Sequence, residues 1–111
     1  MTDATMTVTL DLPATWGKLP EQERNGLLRA GVYEATQARI RQLQAELTAC
    51  KRELRRFERR YGMPLARFEA EQLPQLDTLQ AHEDYTNWFY WQSAVDDKQK
   101  LLASLQKINA R

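Results

Sequence analysis

The sequence predicts a mainly α fold, with an N-terminal β-strand pairing across a dimer and then a long antiparallel helical hairpin. Three observations carry this. Residues 6–12 alternate strictly between apolar and polar side chains, the period of a half-buried strand. From Tyr33 to Tyr61 a seam recurs at 3-4-3-4 spacing, as in a helix packed along its length. Beyond a break rich in turn residues, Trp88, Trp91, Val95, Leu102 and Leu105 make a second helical stripe.

In the strand, Met6, Val8, Leu10 and Leu12 point one way, Thr7, Thr9 and Asp11 the other, and Pro13 ends it. After the connection 13–19, Pro20 suits the first turn of a short helix, with Glu21 and Glu23 at its positive end. This helix should reach about Ala30, with Gly31 as a stop or kink. The seam follows: Tyr33, Thr36, Ile40, Leu43, Leu47, Cys50, Leu54, Phe57 and Tyr61. Gly62 stands where a helix-ending glycine belongs, and Pro64 follows. Residues 64–72 can form a short helix with Leu65 and Phe68 inward. Leu73-Pro74 breaks it, and Asp77 or Thr78 caps the last helix, whose stripe Leu101 and Ile108 support. The expected organisation is a strand and short helix over 1–31, for dimerisation and DNA contact, and a partner-binding hairpin over 32–111.

At 111 residues there is room for one domain, or one with an appendage. Sixteen Lys and Arg against fifteen Asp and Glu leave a charge of +1. That argues against polyanion binding by the whole chain while permitting a local basic patch. Cys50 is the only cysteine, so an internal disulfide is excluded and a reducing compartment is expected. Met1 to Thr5 does not read as a secretory signal. No apolar run approaches the roughly 20 residues of a membrane span. The expectation is a cytoplasmic chain without a membrane partner.

An isolated strand leaves its backbone groups unpaired, and nothing else in the chain reads as a strand. The simplest closure is a two-fold homodimer in which each strand pairs with its copy. A strand followed by two helices, dimerised through the strand, is the plan of ribbon-helix-helix DNA binders, whose ribbon reads the major groove. Residues 6–45 look like a degenerate version, with Thr7 and Thr9 at the reading positions. Asp11 and the long connection 13–19 depart from it. The other reading is a strand that only dimerises or augments a partner's sheet.

Two constellations stand out. Arg52, Arg55, Arg56 and Arg59 lie opposite the seam as an outward stripe, either a solvated face or a surface for phosphates or an acidic partner. Tyr85, Trp88, Phe89, Tyr90 and Trp91 put five of ten aromatics within seven positions. Four in succession span too wide an arc for one seam. If Trp88 and Trp91 fill the hairpin core, Phe89 and Tyr90 face out and mark an interface. His82-Glu83 and Asp96-Asp97 lack metal-ligand spacing, and Cys50 reads as a small buried hydrophobe. No nucleophile–base set or phosphate loop is apparent. The expectation is a protein without catalysis, cofactor or metal.

Phe57-Glu58-Arg59-Arg60-Tyr61-Gly62-Met63, then Phe68-Glu69, then His82-Glu83-Asp84-Tyr85 with Trp88, resembles antitoxins of bacterial type II toxin–antitoxin pairs. The likeness is nearest to the TumA-type partners of TumE-type toxins and covers roughly residues 40–95. Phe89, Tyr90 and Trp91 replace part of the acidic residues of that pattern. The resemblance implies a protein that neutralises a cognate toxin by direct contact, with an N-terminal dimer that represses its own operon at operator DNA. The alternative is a helical-hairpin interaction or scaffolding module without a DNA role.

Overall fold

The computed structural model describes residues 4–109, and its regular structure is helical throughout. A 3₁₀ turn at Ala14–Lys18 precedes a helix at Glu21–Tyr61 (α1), a short helix at Leu65–Glu71 (α2), a 3₁₀ turn at Leu73–Gln75 and a helix at Leu79–Asn109 (α3). No helix among the described residues is long and apolar enough to cross a membrane. The chain divides into two compact units, Met1–Tyr33 and Glu34–Arg111, and α1 contributes to both.

In the first unit the expected strand is not formed. Residues 4–13 have no regular structure, and Met6, Val8 and Leu10 are exposed. A strand exists only through its ladder partner, and the described chain contains no other strand to pair with it. The chain then turns at Pro13, where the Trp16 amide donates to the Pro13 carbonyl at 3.0 Å. The first helix also differs from expectation. It starts after Pro20, with Glu21 and Glu23 in its first turn, but runs through Gly26 and Gly31 without stopping. Neither glycine adopts the positive φ that ends helices. Each costs roughly 1 kcal/mol against alanine, which the extension of a formed helix can absorb. Among the described residues of this unit none is buried; Trp16 and Leu28 are half-buried.

The second unit holds the core. The seam packs as its spacing requires: Ile40, Leu43, Leu47, Cys50 and Leu54 are buried, and Phe57 and Tyr61 are half-buried against the same cluster. Gly62 ends α1 at φ 69°, and its amide donates to the Glu58 carbonyl at 2.8 Å. Only glycine takes that backbone at no steric cost. Pro64 opens α2, which turns Leu65 and Phe68 inward. Thr78, one of the two expected caps, receives the Ala81 amide on its Oγ1 at 3.1 Å and begins α3. Trp88 and Val95 are buried and Trp91, Leu102 and Leu105 half-buried. Leu101 and Ile108, expected to support this stripe, are exposed instead. The stripe follows the 88-91-95-102 line, and both residues fall off it.

Contacts between α1 and α3 step in opposite directions along the two helices. Arg60 meets Asp84 at 2.9 Å, Phe57 stacks on Trp88 with centroids 6.1 Å apart, and Glu46 meets Lys98 at 2.9 Å. The Trp88 indole is the hub, with centroid distances of 5.4 Å to Tyr61 and 5.0 Å to Phe68. Truncating it should cost about 3–5 kcal/mol, as for other large buried aromatics. We therefore expect Trp88→Ala to melt far below the parent chain, and Gly62→Ala to lose only about 1 kcal/mol. The latter is pure backbone strain, since nothing lies within 4 Å of an added Cβ. Thermal melts of the two variants check this ranking.

Candidate partner-binding surface

The start of α3 carries a buried carboxylate that the sequence alone did not single out. Asp84 lies one turn before Trp88 on the same helical stripe, and only 4% of it is exposed. Its Oδ2 accepts a 2.6 Å hydrogen bond from the Tyr61 hydroxyl and a 2.9 Å bond from Arg60 Nη1. Its Oδ1 accepts a 2.9 Å bond from Gln80 Nε2. Arg60 also lies over the Phe57 ring, 5.9 Å from its centroid. Burial by itself pushes the Asp84 carboxyl up; the bonds from Tyr61, Arg60 and Gln80 outweigh it and hold the pKa below the usual value. Burial, then the Asp84 carboxylate, push the Tyr61 phenol up to about 12. The network ties the end of α1 to the start of α3. The one sequence signal was a lone acid on an otherwise apolar stripe. A second tie sits nearby, where the Tyr85 hydroxyl donates to Glu69 Oε2 of α2 at 2.8 Å. That bond raises the Tyr85 pKa.

Farther along, Lys98 Nζ and Arg39 Nη1 both donate to the Glu46 carboxylate, at 2.9 Å each. The bonds from Lys98 and then Arg39 lower the Glu46 pKa, and the Glu46 bond raises that of Lys98.

The five aromatics of α3 separate by face. Trp88 is wholly enclosed, so it cannot touch a partner and belongs to the core. Trp91 is half-buried against the core cluster. Tyr85 is half-buried beside Phe68, with ring centroids 6.1 Å apart. Phe89 and Tyr90 are 51% and 61% exposed. The reason is angular: successive helical residues turn by about 100°, so residues 89 and 90 leave the 88-91-95 stripe. Phe89 leans on Tyr85, and Tyr90 stands edge-on to Trp91. With Thr86, Ser93, Ala94 and Asp97 they make up one open, solvent-facing side of α3.

The residues expected to meet nucleic acid divide between the units, Thr7 and Thr9 in the first and the four arginines in the second. Arg52, Arg55, Arg56 and Arg59 are all exposed on α1, with Arg56 bonded to Glu53 at 2.7 Å. Thr7 and Thr9 are exposed in a segment without regular structure, so the ribbon face that would present them is not formed. Ribbon readout needs two paired strands, and the described chain has none. Among the described residues no group of three His, Cys, Asp or Glu side chains could hold a metal ion. The outer face of α3 offers aromatic area and small side chains for contact. No family model, curated protein or solved structure matches the chain.

The buried network has a pH signature. Asp84 has a depressed pKa in the fold, so its stabilisation is full above the ordinary carboxyl range and is lost as pH falls through the lowered value. Tyr61 has a raised pKa, so its contribution is full below about pH 10 and is lost as pH climbs towards about 12. Asp84→Asn should cost about 2 kcal/mol at neutral pH, on the scale of hydrogen bonds to a charged group. It should also flatten the acid limb of a plot of Tm against pH. An unchanged acid limb would show that other carboxylates set it.

Proposed function

We propose that this chain is a non-catalytic protein-binding module of the antitoxin kind. In this reading it is a cytoplasmic helical hairpin that holds a cognate toxin on the outer face of α3. The observation that carries it is the splitting of the α3 aromatics, with Trp88 fully enclosed while the adjacent Phe89 and Tyr90 stand exposed on the outer face of the helix. Large aromatics held out on a rigid helix have a low conformational cost of binding and recur among the residues that dominate interfaces. That the partner is a toxin rests on the resemblance of residues 57–63, 68–69 and 82–88 to antitoxins.

The N-terminal segment belongs to the same proposal. Its alternating Met6, Val8, Leu10 and Leu12 suit a strand that forms when two copies meet, giving a homodimer. Paired in that way, Thr7 and Thr9 face outward together and can serve operator DNA, with Arg52, Arg55, Arg56 and Arg59 as phosphate contacts. The second reading, an interaction module without a DNA role, is favoured by the lack of regular structure over residues 4–13.

Phe89→Ala combined with Tyr90→Ala should weaken the hold on the neighbouring gene's product more than tenfold, with the melting curve unchanged. The measurement is co-purification with titration, beside rescue of growth when that product alone is lethal. Full-strength binding by the folded double variant would remove this face from consideration. Sedimentation should find a dimer at micromolar concentration, and removal of residues 1–12 should reduce it to monomer. A folded monomer in the intact chain would end the strand-pairing part, and an upstream DNA fragment that goes unbound would favour the second reading.

A further inference from the structure

We infer that α1 is one helix with two stabilities, and that residues 21–33 are a conditional segment: in the free chain they wind and unwind while residues 34–61 stay helical. The helix crosses from the first unit to the second between Tyr33 and Glu34. Beyond that point every third or fourth residue enters the core, where Ile40, Leu43, Leu47, Cys50 and Leu54 are buried. Before it none does. Arg24 and Leu28 are half-buried and the rest of residues 21–33 are exposed, Leu27 at 50% and Val32 at 66%. Most helical stability in proteins comes from packing an apolar face, and a helix shorter than about 12–15 residues is marginal in water by itself. Residues 21–33 have that length and little packing to add.

Local sequence does not make up the difference. Gly26 and Gly31 each lower the weight of the helical form about fivefold against alanine. Pro20, whose carbonyl accepts the Arg24 amide at 3.0 Å, stands just before α1 and has no side-chain oxygen to hold the first free amides. Glu21 and Arg24 hold the only ion-pair spacing within residues 21–33, and one such pair adds little to a helix. The two glycines serve neither a turn nor a close approach: neither has a positive φ, and an added Cβ meets nothing within 4 Å at either. Their effect is to keep the segment near balance between wound and unwound forms. A segment so balanced shifts with any contact that prefers one form. The length of α1 is therefore set by what the N-terminal unit meets, while the seam holds the rest of the helix whatever that unit does.

The test is amide hydrogen exchange of the full chain, read residue by residue, beside far-UV circular dichroism and a thermal melt. Amides of residues 26–33 should exchange about a hundredfold or more faster than those of residues 43–57, since opening costs almost nothing at an uncovered helix end and approaches the global stability in a core. Gly26→Ala with Gly31→Ala should slow exchange over 26–33 about tenfold or more and strengthen the helical signal, with the cooperative melt in place. Gly31→Pro should do the reverse to the helical signal, because its ring meets the Leu27 carbonyl, and should again leave the melt in place. Even protection along the whole of α1 overturns the inference, as does an alanine pair that leaves exchange over 26–33 unchanged. A melt that falls in Gly31→Pro also overturns it, since residues 21–33 would then belong to the same cooperative fold as the seam.

Discussion

The packing of one indole organises the second unit. Trp88 meets Phe57 and Tyr61 from α1 and Phe68 from α2, so three helices are referenced to one rigid side chain. A smaller residue would leave a void that these elements could close only by shifting. Its Nε1 is buried without a hydrogen-bond partner, an arrangement that costs stability. The indole is held there by ring contact on several sides. Asp84, one turn earlier on α3, places a paired carboxylate beside this aromatic cluster. Apolar contact supplies area and the carboxylate supplies direction, because Tyr61 and Arg60 of α1 can both reach it only in one alignment of α1 against α3, with Gln80 of α3 holding its other oxygen.

That alignment decides what α3 shows to the outside. Two long helices and one short one enclose a single layer of side chains. A run of four aromatics covers more than the arc such a layer can shelter. With Trp88 inside, Phe89 and Tyr90 have no cover within the described chain beyond their ring contacts with Tyr85 and Trp91. This exposed aromatic area is what the proposed partner-binding reading rests on. Arginines line the outer face of α1, while the outer face of α3 carries charges of both signs, Asp97 and Lys100 among them.

The first unit follows a different logic. It buries no described side chain, and α1 contributes helix there without enclosing a core. Alternating apolar residues at 6–12 remain exposed because a strand is defined by what it pairs with. Helix needs no such partner: its hydrogen bonds close within one segment. The same chain can therefore form α1 across two glycines while leaving a well-patterned strand sequence without regular structure.

Local features were legible in the sequence wherever the deciding interaction is local. The 3-4 seam of α1, the positive-φ Gly62, the inward pair Leu65 and Phe68 and the Thr78 cap each follow from a few neighbouring residues and from helix geometry. The separation of Trp88 from Phe89 and Tyr90 was legible for the same reason, since 100° per residue is a property of the helix itself. Asp84 was not. Its role depends on Tyr61 and Arg60, more than twenty positions away; spacing puts it on the Trp88 stripe but does not say what would pair with it there. The tertiary structure alone showed which acid enters the core and which of the clustered arginines, Arg60, turns to meet it. It also showed that Leu101 and Ile108 lie off the packed stripe. Those outcomes depend on which surfaces meet, and only the packed helices determine that.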